Sequence, residues 1–123
     1  MSITLEIPDA IWLSANQRIH WSEKARRTRW VRVMAKSAAI RSPKHQRAVI
    51  TAWVGYPRAG RVDPANASPL VKAAIDGLVD AGVLPDDNSD HLPAVTFRRD
   101  VKCRAGIHTL RLEISPITQE GIA

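Results

Sequence analysis

The stretch from Arg61 to Asp87, RVDPANASPLVKAAIDGLVDAGVLPDD, places carboxylates at both ends of a predicted helix. Asp63 stands before the helix, Asp86 and Asp87 follow it, and Asp90 lies close behind. The chain around them is strongly basic. Acidic side chains gathered in such a chain suit a divalent cation held against a phosphodiester. Hard cations such as Mg²⁺ take oxygen ligands, often one or two carboxylates completed by water and phosphate, and Mn²⁺ is expected to substitute. A cation in that position polarises the phosphate and lowers the pKa of an attacking water. Lys72, in the first turn of the helix, would stabilise charge on the phosphorane or leaving oxygen. Asn66 would orient a carboxylate or the substrate backbone.

For Asp63 and Asp87 to grip one ion, the chain must return along the helix. A helix from Pro69 to Ala81 is about 20 Å long, and the segment from Gly82 to Asp87 spans at most about 20 Å when extended. The return is just feasible. Each residue also has a purely structural reading. Asp63 would serve as a helix N-cap, although a helix starting there places Pro69 inside it at a cost of about 3 kcal/mol. The run from Asp86 to Asp90 reads by itself as a solvated turn. Lys72 and Asp76 have the spacing of an i,i+4 pair worth roughly a few tenths of a kcal/mol. His91 has no second His or Cys at metal spacing, while His20, His45 and His108 are scattered and carry no chemical signature. The tryptophans read as core, with Trp12 or Trp21 the ones placed to stack a base.

The 123 residues match one domain covering the whole chain, able to bury roughly two-thirds of its unfolded surface. Hydrophobic residues make up 45%, enough for a packed core. The formal net charge of +6 is concentrated: ten Lys and Arg against one acid, Glu23, between Arg18 and Arg47. Clustered cations suit a polyanionic partner, because neutralised phosphates release counterions; a solvated helix face is the plainer reading of the same charges. The lone cysteine, Cys103, cannot form an internal disulfide, so a reducing cytoplasmic setting is expected. Its Lys/Arg-flanked stretch reads as a hairpin loop and argues against a catalytic thiol. The start, MSITLEIPDA, does not read as a signal peptide, and no run of about 18 apolar residues suggests a membrane span.

Local patterns give the elements that must carry these residues. Ile3, Leu5 and Ile7 alternate with Thr4 and Glu6 as in a strand ending at Pro8. A polar connection with Asn16 and Arg18 leads to a helix over Trp21 to Ile40. Trp30, Met34 and Ala38, with Val31 and Ala35, form its apolar arc, and Arg26, Arg29, Arg32 and Lys36 form a basic stripe opposite. Arg27 breaks the arc. Ala48 to Tyr56 is apolar on both faces, as in a strand covered on both sides. The second helix starts with Ser68 as N-cap and Pro69 at its first position, buries Val71, Ala74, Ile75, Leu78 and Ala81, and stops at Gly82. Strands over Val95 to Arg99 and Ile107 to Ser115 follow, joined by RDVKCRAG as a hairpin, and the residues after Pro116 fray. The order β-α-β-α-β-β implies an α+β domain with two helices packed on one face of a mostly antiparallel sheet.

Three pieces of the sequence resemble the RusA family of Holliday-junction resolvases, many of them carried by phages and prophages. SANQRIHW, Ser14 to Trp21, is similar to the family's opening Ser/Asn segment. Asp63-Pro64-Ala65-Asn66 resembles its Asp-x-Asp-Asn motif, and KAAIDGLVDAGVLPDD its Lys-containing helix ending in Ala-Gly and a paired aspartate. The last piece is the most specific, and the resemblance extends over nearly the whole chain. It implies a small homodimer in the bacterial cytoplasm that cuts four-way DNA junctions with Mg²⁺. Asp63 and Asp87 would then bind the metal, with Asp86 or Asp90 assisting, and Lys72 would be the catalytic lysine. Asn16, Arg18, Arg26, Arg29, Arg32, Lys36, Arg61 and Asn66 would meet DNA. Ala65 departs from the motif, since a methyl group cannot coordinate a cation where the family has an aspartate. The spacing from Asn66 to Lys72 is also longer than in the family. A branched-DNA-binding protein of the same fold without cleavage is the alternative this departure opens.

Overall fold

A computed structural model describes residues 1–118. Strand β1 (Ser2–Pro8) leads through a short 3₁₀ turn, Asp9–Ile11, to helix α1 (Trp21–Ala39). Strand β2 (Ala48–Gly55) is followed by a 3₁₀ turn (Pro64–Ala67) that runs into helix α2 (Ser68–Asp80). Strands β3 (Val95–Arg99) and β4 (Ile107–Pro116) complete the expected α+β order. Among the described residues, no helix is long and apolar enough to cross a membrane.

The sheet order is β1-β4-β2-β3, with β4 antiparallel to both β1 and β2. The register stacks apolar residues in rows across one face. Val95, Ile50 and Ile114 form one row, and Phe97, Ala52, Leu112 and Ile3 the next. The following row begins apolar, with Leu5, Leu110 and Val54, but ends in Arg99, and beyond it Ile7 pairs with His108. The apolar face therefore turns polar at one end. Beneath the helices its Ile and Leu side chains are almost completely buried, each worth about 1.5–3 kcal/mol relative to exposure.

Three expectations are corrected. The β3–β4 connection is not a hairpin: β3 pairs parallel with β2, and β2 lies between it and β4. A helix joins β2 to β3, and such a crossover delivers a parallel neighbour. The basic loop instead crosses the end of β2, where Asp100 N–H donates to Val54 C=O and Cys103 N–H to Tyr56 C=O, each at 2.9 Å. Strand β2 is interior to the sheet yet covered on one face only. Val49, Thr51 and Trp53 on its other face are part-exposed, and Trp53 is flanked by the guanidinium groups of Arg98 and Arg111 at 5.6 and 4.8 Å.

The third correction concerns α1, whose buried line is Val31, Ala35 and Ala39, while Trp30 and Ala38 face solvent. The arc is rotated because α1 packs on α2 rather than lying flat on the sheet. Arg27 belongs on that inner side, donating to Glu23 and, at 2.9 Å, to Trp12 C=O. Residues after Pro116 were expected to fray; Ile117 N–H still donates to Arg47 C=O at 3.0 Å, and residues 119–123 lie outside the described residues.

Helix α2 carries the expected buried stripe, although Ala67 rather than Ser68 occupies its N-cap position. Its end forms a Schellman turn. Gly82 (φ +84°) donates to Val79 C=O at 2.9 Å and Val83 to Leu78 C=O at 3.0 Å. At Gly77 the two helices approach so closely that a Cβ would stand 2.4 Å from Arg32 C=O and 2.8 Å from Ala35 Cβ. Gly77→Ala gains helix propensity of about 1 kcal/mol. The backbone clash should outweigh it, giving a net loss of about 1–3 kcal/mol in urea unfolding. An unchanged or raised midpoint would show that the helices separate freely.

Candidate active site

At the polar end of the sheet three distant segments meet around a cleft of about 710 Å³. The loop after β1 brings Trp12, Ser14, Asn16 and Gln17; the segment after β2 brings Tyr56, Arg58, Arg61, Asp63 and Asn66; β4 contributes His108. Backbone bonds fix the walls. Ala15 N–H donates to Asn66 C=O at 2.7 Å, tying the two loops together. Arg99, from the edge strand, donates to Arg58 C=O at 2.9 Å and also to Gly60 C=O, which pins the turn carrying Arg58 and Arg61. Four expected site residues, Asn16, Arg61, Asp63 and Asn66, thus line one cleft.

Asp63 caps the 3₁₀ turn, its Oδ1 accepting from Ala65 N–H at 3.1 Å. The N-cap reading holds for the short turn, with Pro69 opening a separate helix, and Asp63 also lines the cleft. The rest of the carboxylate stays exposed beside Tyr56. Burial, and then the negative charge of Asp63, raise the proton affinity of the Tyr56 hydroxyl.

His108 carried no signal in the sequence, yet it forms the floor. Its ring stacks on Trp12 with centroids 3.8 Å apart and planes 12° from parallel, and Tyr56 meets both rings edge-on. Its Nδ1 lies 3.3 Å from Asp9 Oδ1, within ion-pairing distance, but the alignment does not make a hydrogen bond. Burial lowers the imidazole pKa; Asp9 opposes this, and the Arg58 charge adds to it. The only forewarning in the sequence was its inward register on a strand with Leu110 and Leu112.

A second group lies on α2. Lys72 Nζ donates to Asp76 Oδ1 at 2.7 Å and to Asp87 Oδ2. The return of the chain judged just feasible from its length does occur, since the Schellman turn at Gly82 sends Asp87 back to Lys72. The i,i+4 pair with Asp76 is realised, and Asp87 adds a partner that the spacing did not indicate. Asp76 first and Asp87 second raise the lysine's proton affinity, so it is a cation at neutral pH. Lys72 in turn lowers the Asp87 pKa. All three groups are solvent-accessible, and the pairs contribute little to stability.

Asp63 lines the cleft, and Asp87 pairs with Lys72. Among the described residues no three His, Cys, Asp or Glu side chains gather as a metal centre. Asp86 is engaged locally, its Oδ1 accepting from Asp87 N–H and its Oδ2 from Asn88, and Asp90 N–H donates to Asn88. That is the solvated turn. The donors are nonetheless all carboxylate oxygens, the chemistry a hard cation selects, and one or two suffice when water and phosphate complete its shell.

Of the basic residues of α1, Arg26, Arg29, Arg32 and Lys36 are exposed, but unequally free. Arg26 pairs with Glu23 at 2.7 Å, and with Arg27 it holds the Glu23 carboxyl down to about 2. Arg32 grips Asp80 of α2 through two hydrogen bonds of 2.6 and 2.8 Å. Arg18 is exposed outside the cleft lining. No protein-family model matches this chain, and no curated protein matches it.

Because His108 binds its proton less readily when folded, the unfolded chain takes up more protons below the ordinary histidine range. Stability should be complete above about pH 6.5 and fall as pH drops through and below that value. The depressed carboxylates add their losses only below about pH 4. Urea midpoints between pH 8 and 5 should show this slope in the wild type and lose it in His108→Gln; an equal slope in both would remove His108 as its source.

Proposed function

We propose that this protein is a Mg²⁺-dependent endonuclease of RusA type that cuts branched DNA, four-way junctions above all. The observation that carries the proposal is the joint placement of Asp63, Asn66, Asn16 and Arg61 in one cleft, with Lys72 of the helix that follows paired to Asp87 of the loop beyond that helix. In this reading Asp63 and Asp87 hold the ion, which would supply a polarised phosphate and an activated water. Lys72, kept protonated by its two carboxylates, offsets negative charge on the phosphate as the bond breaks. Arg61 and Arg58 hold neighbouring phosphates, and Asn16 and Asn66 orient the strand through their amides. Arg29 and Lys36, which close no salt bridge among the described residues, draw the duplex arms by releasing counterions. A homodimer in the bacterial cytoplasm matches the two-fold symmetry of a junction and puts two such sites on symmetric strands.

Incubated with Mg²⁺ and a four-way junction, the wild type should nick it. Asp87→Asn and Lys72→Met should each lower the single-turnover rate by about 10²-fold or more while still binding the junction. Wild type that binds without nicking would reject the enzymatic reading. Ala65 favours a second reading, branch binding without cleavage: its N–H serves Asp63, but its side chain supplies no ligand. On that reading Asp87→Asn leaves binding unchanged and Ala65→Asp confers cleavage.

Salt titrations separate the cations of α1. Arg29→Gln should reduce the slope of log affinity against log salt by about 1. Arg32→Gln should reduce it less, since Asp80 already neutralises that guanidinium. Equal effects would mean that the Arg32 pair opens on DNA.

A further inference from the structure

We propose that the cleft takes a single unpaired nucleotide, its base against the part-exposed Trp12 ring, which His108 and Tyr56 back, and its phosphate on Arg58 and Arg61. The inference rests on the DNA-binding part of the function proposed above and adds what the cleft selects. Its volume, about 710 Å³, lies in the range of small-ligand sites. A paired base, held inside its duplex, cannot lay its face on a protein ring, whereas an unpaired base can.

The chemistry is divided as a nucleotide requires. The three rings lie together at the floor, with centroid separations of 3.8, 5.6 and 5.7 Å. Burial keeps His108 neutral at pH 7, so the floor stays uncharged. Arg58 lines the cleft together with His108 and Tyr56. Arg99 holds the backbone of the Arg58 loop, so Arg58 projects from a fixed turn. The amides of Asn16 and Asn66 offer both donors and acceptors, as a base edge does. Asp63 in the same cleft disfavours an acidic peptide, which would have no use for the rings. A sugar phosphate with a flat base uses every part.

The test uses the full chain, in EDTA so that no strand is cut, and two four-way junctions containing 2-aminopurine. One carries it as a single unpaired nucleotide at the branch, the other paired within an arm. Emission of the unpaired probe should fall at least twofold on saturation, with little change for the paired one. Affinity for the unpaired junction should be about tenfold higher, and Arg58→Gln with Arg61→Gln should abolish that preference without unfolding the chain. Equal emission changes and equal affinities at saturation would overturn the proposal, as would displacement of the probe by polyglutamate as readily as by single-stranded DNA. The wild type, assayed again with Mg²⁺, separates the two claims. Quenching without Mg²⁺-dependent cleavage sustains the nucleotide site and rejects the nuclease; cleavage without quenching rejects the nucleotide site alone.

Discussion

One constraint organises the molecule: a single sheet face must be covered by two helices that also pack on each other. The helices can do so only where their backbones come close, and Gly77 against the Arg32 carbonyl marks that contact. Everything else accommodates it. Helix α1 turns Val31, Ala35 and Ala39 inward and leaves Trp30 outside. Arg32 then lies where it can close over Asp80, and the inner surface is sealed without a buried charge. The opposite sheet face, uncovered, keeps Trp53 between two arginines.

The cleft follows from where that cover runs out. Apolar cross-strand rows persist until the register reaches Arg99 and His108, and there the inner face carries groups that hydrogen-bond and titrate. Loops from three parts of the chain meet at this edge because their strands all finish there. The Ala15–Asn66 backbone bond and the Arg99 guanidinium hold the walls, and Asn16, Asn66 and Arg61 line the space between them. The Asp63 carboxylate spends one acceptor on the turn that positions it and keeps its remaining capacity.

The second grouping depends on a different device. Gly82 adopts a conformation that side chains disfavour, and the resulting turn reverses the chain onto its own helix. Asp87 reaches Lys72 by that reversal alone. A lysine shared by two carboxylates stays charged, which suits it to oppose negative charge and disqualifies it as a base.

Much of the fold was legible from periodicity. The alternation at Ile3 to Ile7, the proline opening α2 and the glycine closing it are local signals, and local signals depend on neighbours a few residues away. They determined the elements and their order, and left the return of Asp87 and the cap at Asp63 open. They did not determine which strands pair: Val95 to Arg99 reads the same whether its partner is β2 or β4, and the crossover through α2 decided it. Nor did the pattern of α1 tell which of two adjacent stripes meets its neighbour, since Trp30 and Ala38 are as apolar as Ala39. His108 is the clearest case. In the sequence it is a lone histidine on an apolar strand, and it became the floor of a cleft only because Trp12 stacks upon it and Tyr56 meets it edge-on, both distant along the chain. Spacing encodes short-range geometry; the meeting of remote side chains is set by packing, which no short window contains.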